Sequence, residues 1–135
     1  MAAADDQVPL ISIVDDDHSV RVAVVTLVRS LGFDACSFDS AEGYLASDER
    51  RKTACIVSDV QMQGTNGLDM QNRLATQNDS TPIIFITAFP QPDLKRRALD
   101  AGAVCFLSKP FDGETLIKCI ESALKGGDAA PPICC

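Results

Sequence analysis

Short apolar runs alternate with amphipathic ones along the chain, and each apolar run stops at a polar residue. Leu10 to Val14 is the first such run, and it ends at Asp15, Asp16 and Asp17. Beyond it Val20, Val24, Leu27, Val28 and Leu31 recur at helical spacing on one face, and Gly32 supplies the stop. Phe33 to Phe38 alternate well enough for a second strand, and Asp39-Ser-Ala-Glu42 has the spacing of a capping box opening a short helix through Tyr44 and Leu45. Ser47 to Lys52 reads as a solvated, charged loop. The small and β-branched run Ala54 to Val57 suits a strand covered on both faces, and the polar, glycine-containing loop after Asp59 is its exit into a helix over Leu68 to Ala75. Asn78 to Pro82 breaks that helix, and the continuously apolar Ile83 to Ile86 forms a fourth strand ending at Thr87. A helix carrying Lys95-Arg96-Arg97 follows and closes at Ala101-Gly102; the triplet reads as a hydrated helix face. Val104 to Leu107 is the fifth strand. Asp112 caps a last helix whose Leu116, Ile120 and Leu124 line one side, with Gly126-Gly127 as its end.

Strands alternating with helical segments predict an α/β fold: a five-stranded parallel sheet, doubly wound, with five helices on its two faces. Parallel strands need crossovers, and the crossovers are right-handed. The polar residues that end the strands are then the informative ones. Asp15 and Asp16, Asp59, Thr87 and Lys109 all fall at the carboxyl edge of the sheet, where open α/β folds collect their ligands. Three consecutive carboxylates repel one another and call for a cation or a nearby lysine. Acids of this kind suit a hard divalent cation, while Lys109 and Thr87 can donate to an anionic oxygen. His18 opens a helix, where a capping or solvent-facing imidazole is the expectation.

Composition narrows the picture further. A chain of 135 residues with 46% hydrophobic content suits one core, here residues 8–126, with 1–7 as a disordered leader and 127–135 as a tail or the start of a linker. A net charge of -7 argues against nucleic-acid binding through phosphate contacts. No apolar run approaches the roughly 18 residues of a membrane span, and the N-terminus lacks the regions of a signal peptide, so a cytoplasmic location is expected. Cys36, Cys55, Cys105 and Cys119 lie in apolar segments without metal-ligand spacing and read as buried free thiols; Cys134 and Cys135 are assigned no role.

The ordered set Asp15, Asp16, Asp59, Thr87 and Lys109 resembles the receiver domain of bacterial two-component response regulators, over about Val8 to Lys125. Met62 and Gly67 stand at the expected distances after Asp59, and Lys109-Pro110-Phe111 is similar to the family's Lys-Pro-Phe turn, in which the Lys-Pro bond is usually cis. The resemblance implies a flavodoxin-like strand order 2-1-3-4-5 and a regulatory rather than enzymatic role, at most self-phosphorylation and self-dephosphorylation. It implies phosphorylation of Asp59 by a sensor histidine kinase or phosphotransfer protein. It further implies Mg²⁺, with Mn²⁺ as a substitute, held octahedrally by Asp16, Asp59, the Gln61 carbonyl and waters, with Asp15 acting through a water. Lys109 corresponds to the family's lysine at the phosphoryl group, and Thr87 and Phe106 to its hydroxyl and aromatic switch pair. The output surface would be the fourth helix, fifth strand and fifth helix. Gln63 stands where the family commonly has proline, so that loop lacks a rigid φ while keeping every reacting group. Val14-Asp-Asp-Asp17 is similar to the start of receivers in the fixation-type transcriptional branch. That branch would add a DNA-binding effector domain in a longer parent chain, and a homodimer formed on phosphorylation is open.

Two other classes share parts of this pattern. A phosphatase of the haloacid-dehalogenase type needs a second acid two residues after its nucleophile, where this chain has Gln61. An FMN-binding flavodoxin-like module needs a phosphate cradle after the first strand, where Asp15, Asp16 and Asp17 would repel the phosphate.

Overall fold

The computed structural model describes residues 8–62 and 64–125. Its strands are β1 (Leu10–Val14), β2 (Asp34–Phe38), β3 (Thr53–Asp59), β4 (Ile83–Thr87) and β5 (Cys105–Ser108). The helices are α1 (His18–Ser30), α2 (Ala41–Leu45), α3 (Gly67–Thr76), α4 (Pro92–Asp100) and α5 (Gly113–Leu124), with a short 3₁₀ turn over Asp48–Arg51. All strand pairs are parallel and the order is β2-β1-β3-β4-β5. This is the doubly wound sheet, in the order that the resemblance implies.

The period of two along each strand divides the interior into two cores. Ile11, Ile13, Cys55, Val57, Ile84, Ile86, Cys105 and Leu107 face α1 and α5, where Val24, Val28, Leu116 and Ile120 complete the packing. Val14, Ile56, Ile83, Phe85 and Phe106 face the other side and meet Ala41, Tyr44, Leu68, Met70, Leu74 and Ala98. Each fully buried aliphatic or aromatic side chain contributes about 1.5–3 kcal/mol, so these two layers dominate the stability of the sheet. Ser12 is the polar exception within β1. It is fully buried and satisfied by Thr53 Oγ1 at 2.7 Å, and the Thr53 hydroxyl donates onward to the Glu49 carbonyl at 2.8 Å.

Several local expectations are corrected. The loop Ser47 to Lys52 contains the 3₁₀ turn, β2 begins at Asp34 and β3 runs from Thr53 through Asp59. The capping box at Asp39 does not form. Ser40 is the N-cap of α2, its Oγ accepting from Gly43 N at 3.0 Å, which leaves Glu42 in the first turn, one position short of a capping-box acid. Glu42 instead crosses to the β3–α3 loop. Asp112 occupies the N-cap position of α5 without a capping bond and accepts from the Thr115 hydroxyl at 3.2 Å. Asp17 does cap α1, accepting from Ser19 N at 2.9 Å and Val20 N at 3.4 Å. His18 is exposed, with Nδ1 3.3 Å from Arg21 Nη2. Cys55, Cys105 and Cys119 are buried cysteines, whereas Cys36 is half-buried. The leader 1–7, Gln63, the Gly126-Gly127 stop and Cys134-Cys135 lie outside the described residues.

Candidate functional site

The carboxyl ends of β1, β3, β4 and β5 set the site, and the register explains why their polar residues meet. Asp59 lies opposite Ile86, and Thr87 opposite Ser108, so acids, hydroxyl and ammonium arrive at the same level of the sheet. Asp15 is completely buried and Asp59 is 6% exposed, while Asp16 is exposed. Carboxylate oxygens of Asp15, Asp16 and Asp59 lie within 4.8 Å of one another, and a donor set made only of hard oxygens fits a divalent cation of the Mg²⁺ or Ca²⁺ type.

Lys109 holds the acids together. Its Nζ is 3.0 Å from Asp15 Oδ2 and 3.3 Å from Asp59 Oδ2. The backbone fixes the same groups from other directions: Asp15 Oδ1 accepts from Asp17 N at 2.9 Å and Asp59 Oδ1 from Gln61 N at 3.2 Å. Lys109 N donates to the Thr87 carbonyl at 2.7 Å, which ties the β5 exit to the end of β4. The buried Thr87 hydroxyl accepts from Phe89 N at 3.1 Å. The Lys109-Pro110 peptide is cis.

Burial, followed by the charge on Asp15, raises the carboxyl of Asp59 above its ordinary range, against the lowering pull of Lys109. For Lys109, burial alone would lower the ammonium, but its contacts with Asp15 and then Asp59 outweigh it and the net direction is up. In the metal-free arrangement Lys109 is therefore protonated and shared between two acids; three formal negative charges face one positive charge, a deficit of two that a divalent cation would offset.

Every predicted site residue except Gln61 and Phe106 contributes a side chain to this sheet edge. Gln61 enters through its backbone, in the loop beside Asp59. Phe106 lies one strand residue before Leu107, 3% exposed and 6.4 Å from the Phe85 ring, and it borders a cavity of about 330 Å³ with Pro90, Pro92, Lys95 and Ser108. Arg21 carried no readable signal, and Gly67 was legible only by its distance after Asp59, without the steric reason for it. Arg21 donates to the Asp15 carbonyl at 2.7 Å, a contact to backbone that no residue pattern encodes. Gly67 opens α3 against the site: a Cβ there would lie 2.5 Å from the Asp59 carbonyl oxygen.

Comparison with known proteins gives the family and the fold. The response regulator receiver domain family matches residues 11–121. The chain is 40% identical over 121 residues to response regulator protein TmoT of Ectopseudomonas mendocina, covering 90% of this chain and 55% of that protein. It is 35% identical over 120 residues to transcriptional regulatory protein FixJ of Bradyrhizobium diazoefficiens, covering 89% of this chain and 58% of the relative. The solved structure of response regulator StyR superposes with a TM-score of 0.82 at 39% identity, over 88% of this chain and 60% of that one. The chain thus spans little more than half the length of these relatives. Nothing in these matches supports the phosphatase or FMN-binding alternatives. No helix among the described residues is long and apolar enough to cross a membrane. The chain belongs to the response regulator receiver domain family and is a receiver of two-component signal transduction.

Proposed function

We propose that Asp59 is the residue that accepts a phosphoryl group, and that Asp15, Asp16, Lys109 and Thr87 serve that transfer. The observation that carries this reading is the position of one ammonium between two buried carboxylates at the mouth of the sheet. A carboxylate attacks phosphorus poorly because like charges repel, so the site must lower that repulsion before the bond forms. Asp15, Asp16 and Asp59, with the backbone carbonyl of Gln61, would hold Mg²⁺, with Mn²⁺ able to substitute. When bound, the ion supplies charge neutralisation for the nucleophile and the incoming phosphoryl oxygens.

The donor in this reading is a phosphohistidine on a sensor histidine kinase or phosphotransfer protein. Asp59 Oδ attacks phosphorus in line, an O–P bond forms, the P–N bond breaks, and its electron pair leaves with the imidazole nitrogen, which takes a proton from solvent. Lys109 turns from its shared contact with Asp59 toward a phosphoryl oxygen. The Thr87 hydroxyl exchanges Phe89 N for another phosphoryl oxygen, which draws the β4–α4 connection inward. Phe106, which borders the cavity beside that connection, is the aromatic member of the switch, and α4, β5 and α5 carry the output. The domain occupies residues 8–126 in this assignment, acts in the cytoplasm, and in a longer parent chain controls a DNA-binding effector, as the name of the FixJ relative suggests; a homodimer on phosphorylation is one route to that control. Such a domain catalyses at most its own phosphorylation and dephosphorylation.

Incubation with Mg²⁺ and acetyl phosphate followed by intact-mass analysis tests the assignment. A single phosphoryl adduct is expected, absent in Asp59→Asn. Persistence of the adduct in that variant would overturn the choice of Asp59.

A further inference from the structure

The geometry points to Glu42, on α2, as a positioning residue for phosphoryl transfer: it clamps the β3–α3 loop so that the Gln61 backbone and the Asp59 carboxylate stay at one cation site. This inference rests on the acceptor reading above and adds a residue from an element that contributes nothing else to the site.

Glu42 Oε2 accepts two hydrogen bonds from Thr65, one from its backbone N–H at 3.1 Å and one from its hydroxyl at 2.6 Å. The carboxylate lies flush against the loop, since a Cβ on Gly64 would sit 3.2 Å from Oε2 and 3.5 Å from Oε1, and Gly64 itself has φ of +84°. A side chain at 64 would strain the backbone and also press on the clamp. Both ends of the loop are fixed by other means. Val60 N donates to the Ile86 carbonyl at 3.2 Å, Gly67 N to the Val60 carbonyl at 2.8 Å, and Asn66 caps α3 through Asp69 N at 2.8 Å. Gln61, beside the first anchor, meets Asp59 Oδ1 through its N–H, and Gly64 and Thr65, beside the second, form the outer span that Glu42 meets. Glu42 holds that outer span from a rigid base, because its neighbours Ala41 and Tyr44 are fully buried in the core.

An exposed carboxylate bonded to an exposed loop adds little to global stability, since water competes for the same donors. What it fixes is position. The carbonyl of Gln61 must stay within reach of a cation held by Asp59, and a loop free to drift would hold that geometry for only a fraction of the time. Apparent affinity falls by that fraction.

The test measures Mg²⁺ binding by calorimetry, and the Mg²⁺ dependence of acetyl-phosphate labelling, in wild type, Glu42→Ala, Glu42→Gln, Thr65→Val and the Glu42→Ala/Thr65→Val double variant. All measurements are made where urea titration shows each protein folded. Glu42→Ala should raise the Mg²⁺ dissociation constant by about three- to tenfold, with labelling restored at saturating Mg²⁺. Glu42→Gln keeps an acceptor oxygen without the charge and should recover most of the loss. The double variant should be no worse than Glu42→Ala alone, because both changes break the same clamp. Equal losses in Glu42→Gln and Glu42→Ala would assign the effect to remote charge and overturn the clamp, as would unchanged binding in Glu42→Ala or independent, multiplying losses in the double variant. Failure of the wild type to bind Mg²⁺ or take up phosphate is a different result: it removes the acceptor reading itself.

Discussion

Gly67→Ala tests how tightly the end of β3 and the start of α3 enclose the nucleophile. A Cβ at this position would meet the Asp59 carbonyl oxygen at 2.5 Å, Phe85 Cε1 at 2.8 Å and Val60 Cα at 3.1 Å, whereas ordinary contact begins at 3.4 Å. The carbonyl must therefore retreat by about 0.9 Å, in an interior packed as densely as an organic crystal. Two of the three obstacles are backbone, and the third is the ring edge of a fully buried phenylalanine, so none can swing aside. Overpacking of this kind costs about 1–3 kcal/mol, and rigid obstacles place this case near the top. The preference of a helix for Ala over Gly returns up to about 1 kcal/mol, leaving a net loss of about 2. With a urea slope of about 1.5 kcal/mol/M, the midpoint should fall by about 1.3 M. Gly113→Ala is the control: it opens α5, and its Cβ would meet only Leu27 Cδ2 at 3.9 Å, so stability should hold or rise slightly. Because the displaced atom belongs to Asp59, phosphoryl uptake from acetyl phosphate should also slow about tenfold in folded Gly67→Ala. A Gly67→Ala midpoint within about 0.3 M of wild type, or equal losses in both variants, would refute the steric account.

Further outcomes follow from the charges. Metal-free Asp59→Asn should be more stable than wild type by on the order of 1 kcal/mol, because it removes a buried charge and then its repulsion from Asp15, which together outweigh the attraction of Lys109. The sign with pH follows from the raised carboxyl of folded Asp59, which makes the folded state the better proton binder. Asp59 thus destabilises the fold fully above that raised value, and the penalty is relieved as pH falls through it toward the unfolded value of about 3.9. The advantage of Asp59→Asn in urea melts should shrink across that acidic window, and an advantage independent of pH would contradict the burial-and-repulsion cause. Lys109→Met should tighten Mg²⁺ binding several-fold by removing a competing cation while slowing phosphoryl uptake, read by calorimetry and intact mass; weaker metal binding would count against Lys109 as a shared counter-ion. Thr87→Ala should still be phosphorylated but lose the phosphorylation-dependent change in amide exchange over α4 and β5, whereas Thr87→Ser should keep it; full retention of the change in Thr87→Ala would remove the hydroxyl from the switch.

Much of the fold was legible because its two signals are strong. Doubly covered parallel strands read as unbroken apolar runs, as Ile83–Ile86 does, and α1 carries its apolar face at clear helical spacing. The errors fell where short segments offered alternatives. Asp39 and Ser40 compete to cap α2, and the choice of Ser40 frees Glu42 to reach Thr65, a partner 23 residues away that local pattern cannot encode. Convergence of Asp15, Asp59 and Lys109 was legible through one rule, that polar residues ending parallel strands share an edge. Arg21 was not, and Gly67 was marked only by its spacing after Asp59, because each acts on a backbone atom of another element and only the folded path brings those atoms near.

The same geometry makes the site reactive and uncomfortable. Asp15 is wholly buried with a single close ammonium that it must share with Asp59, an arrangement that two hydrophobic cores can hold but that no local interaction favours. Neutralising any one partner leaves the others mismatched, so in the proposed mechanism the cluster would respond to a divalent cation or to a phosphoryl group as a unit. Since Lys109 N is bonded to the Thr87 carbonyl, and the Thr87 hydroxyl to Phe89 N, the proposed mechanism would pass a change of charge at Asp59 along the backbone to the start of α4 without any long relay of side chains. A receiver needs that economy: the atoms that feel the new charge are within one or two residues of the element that must move.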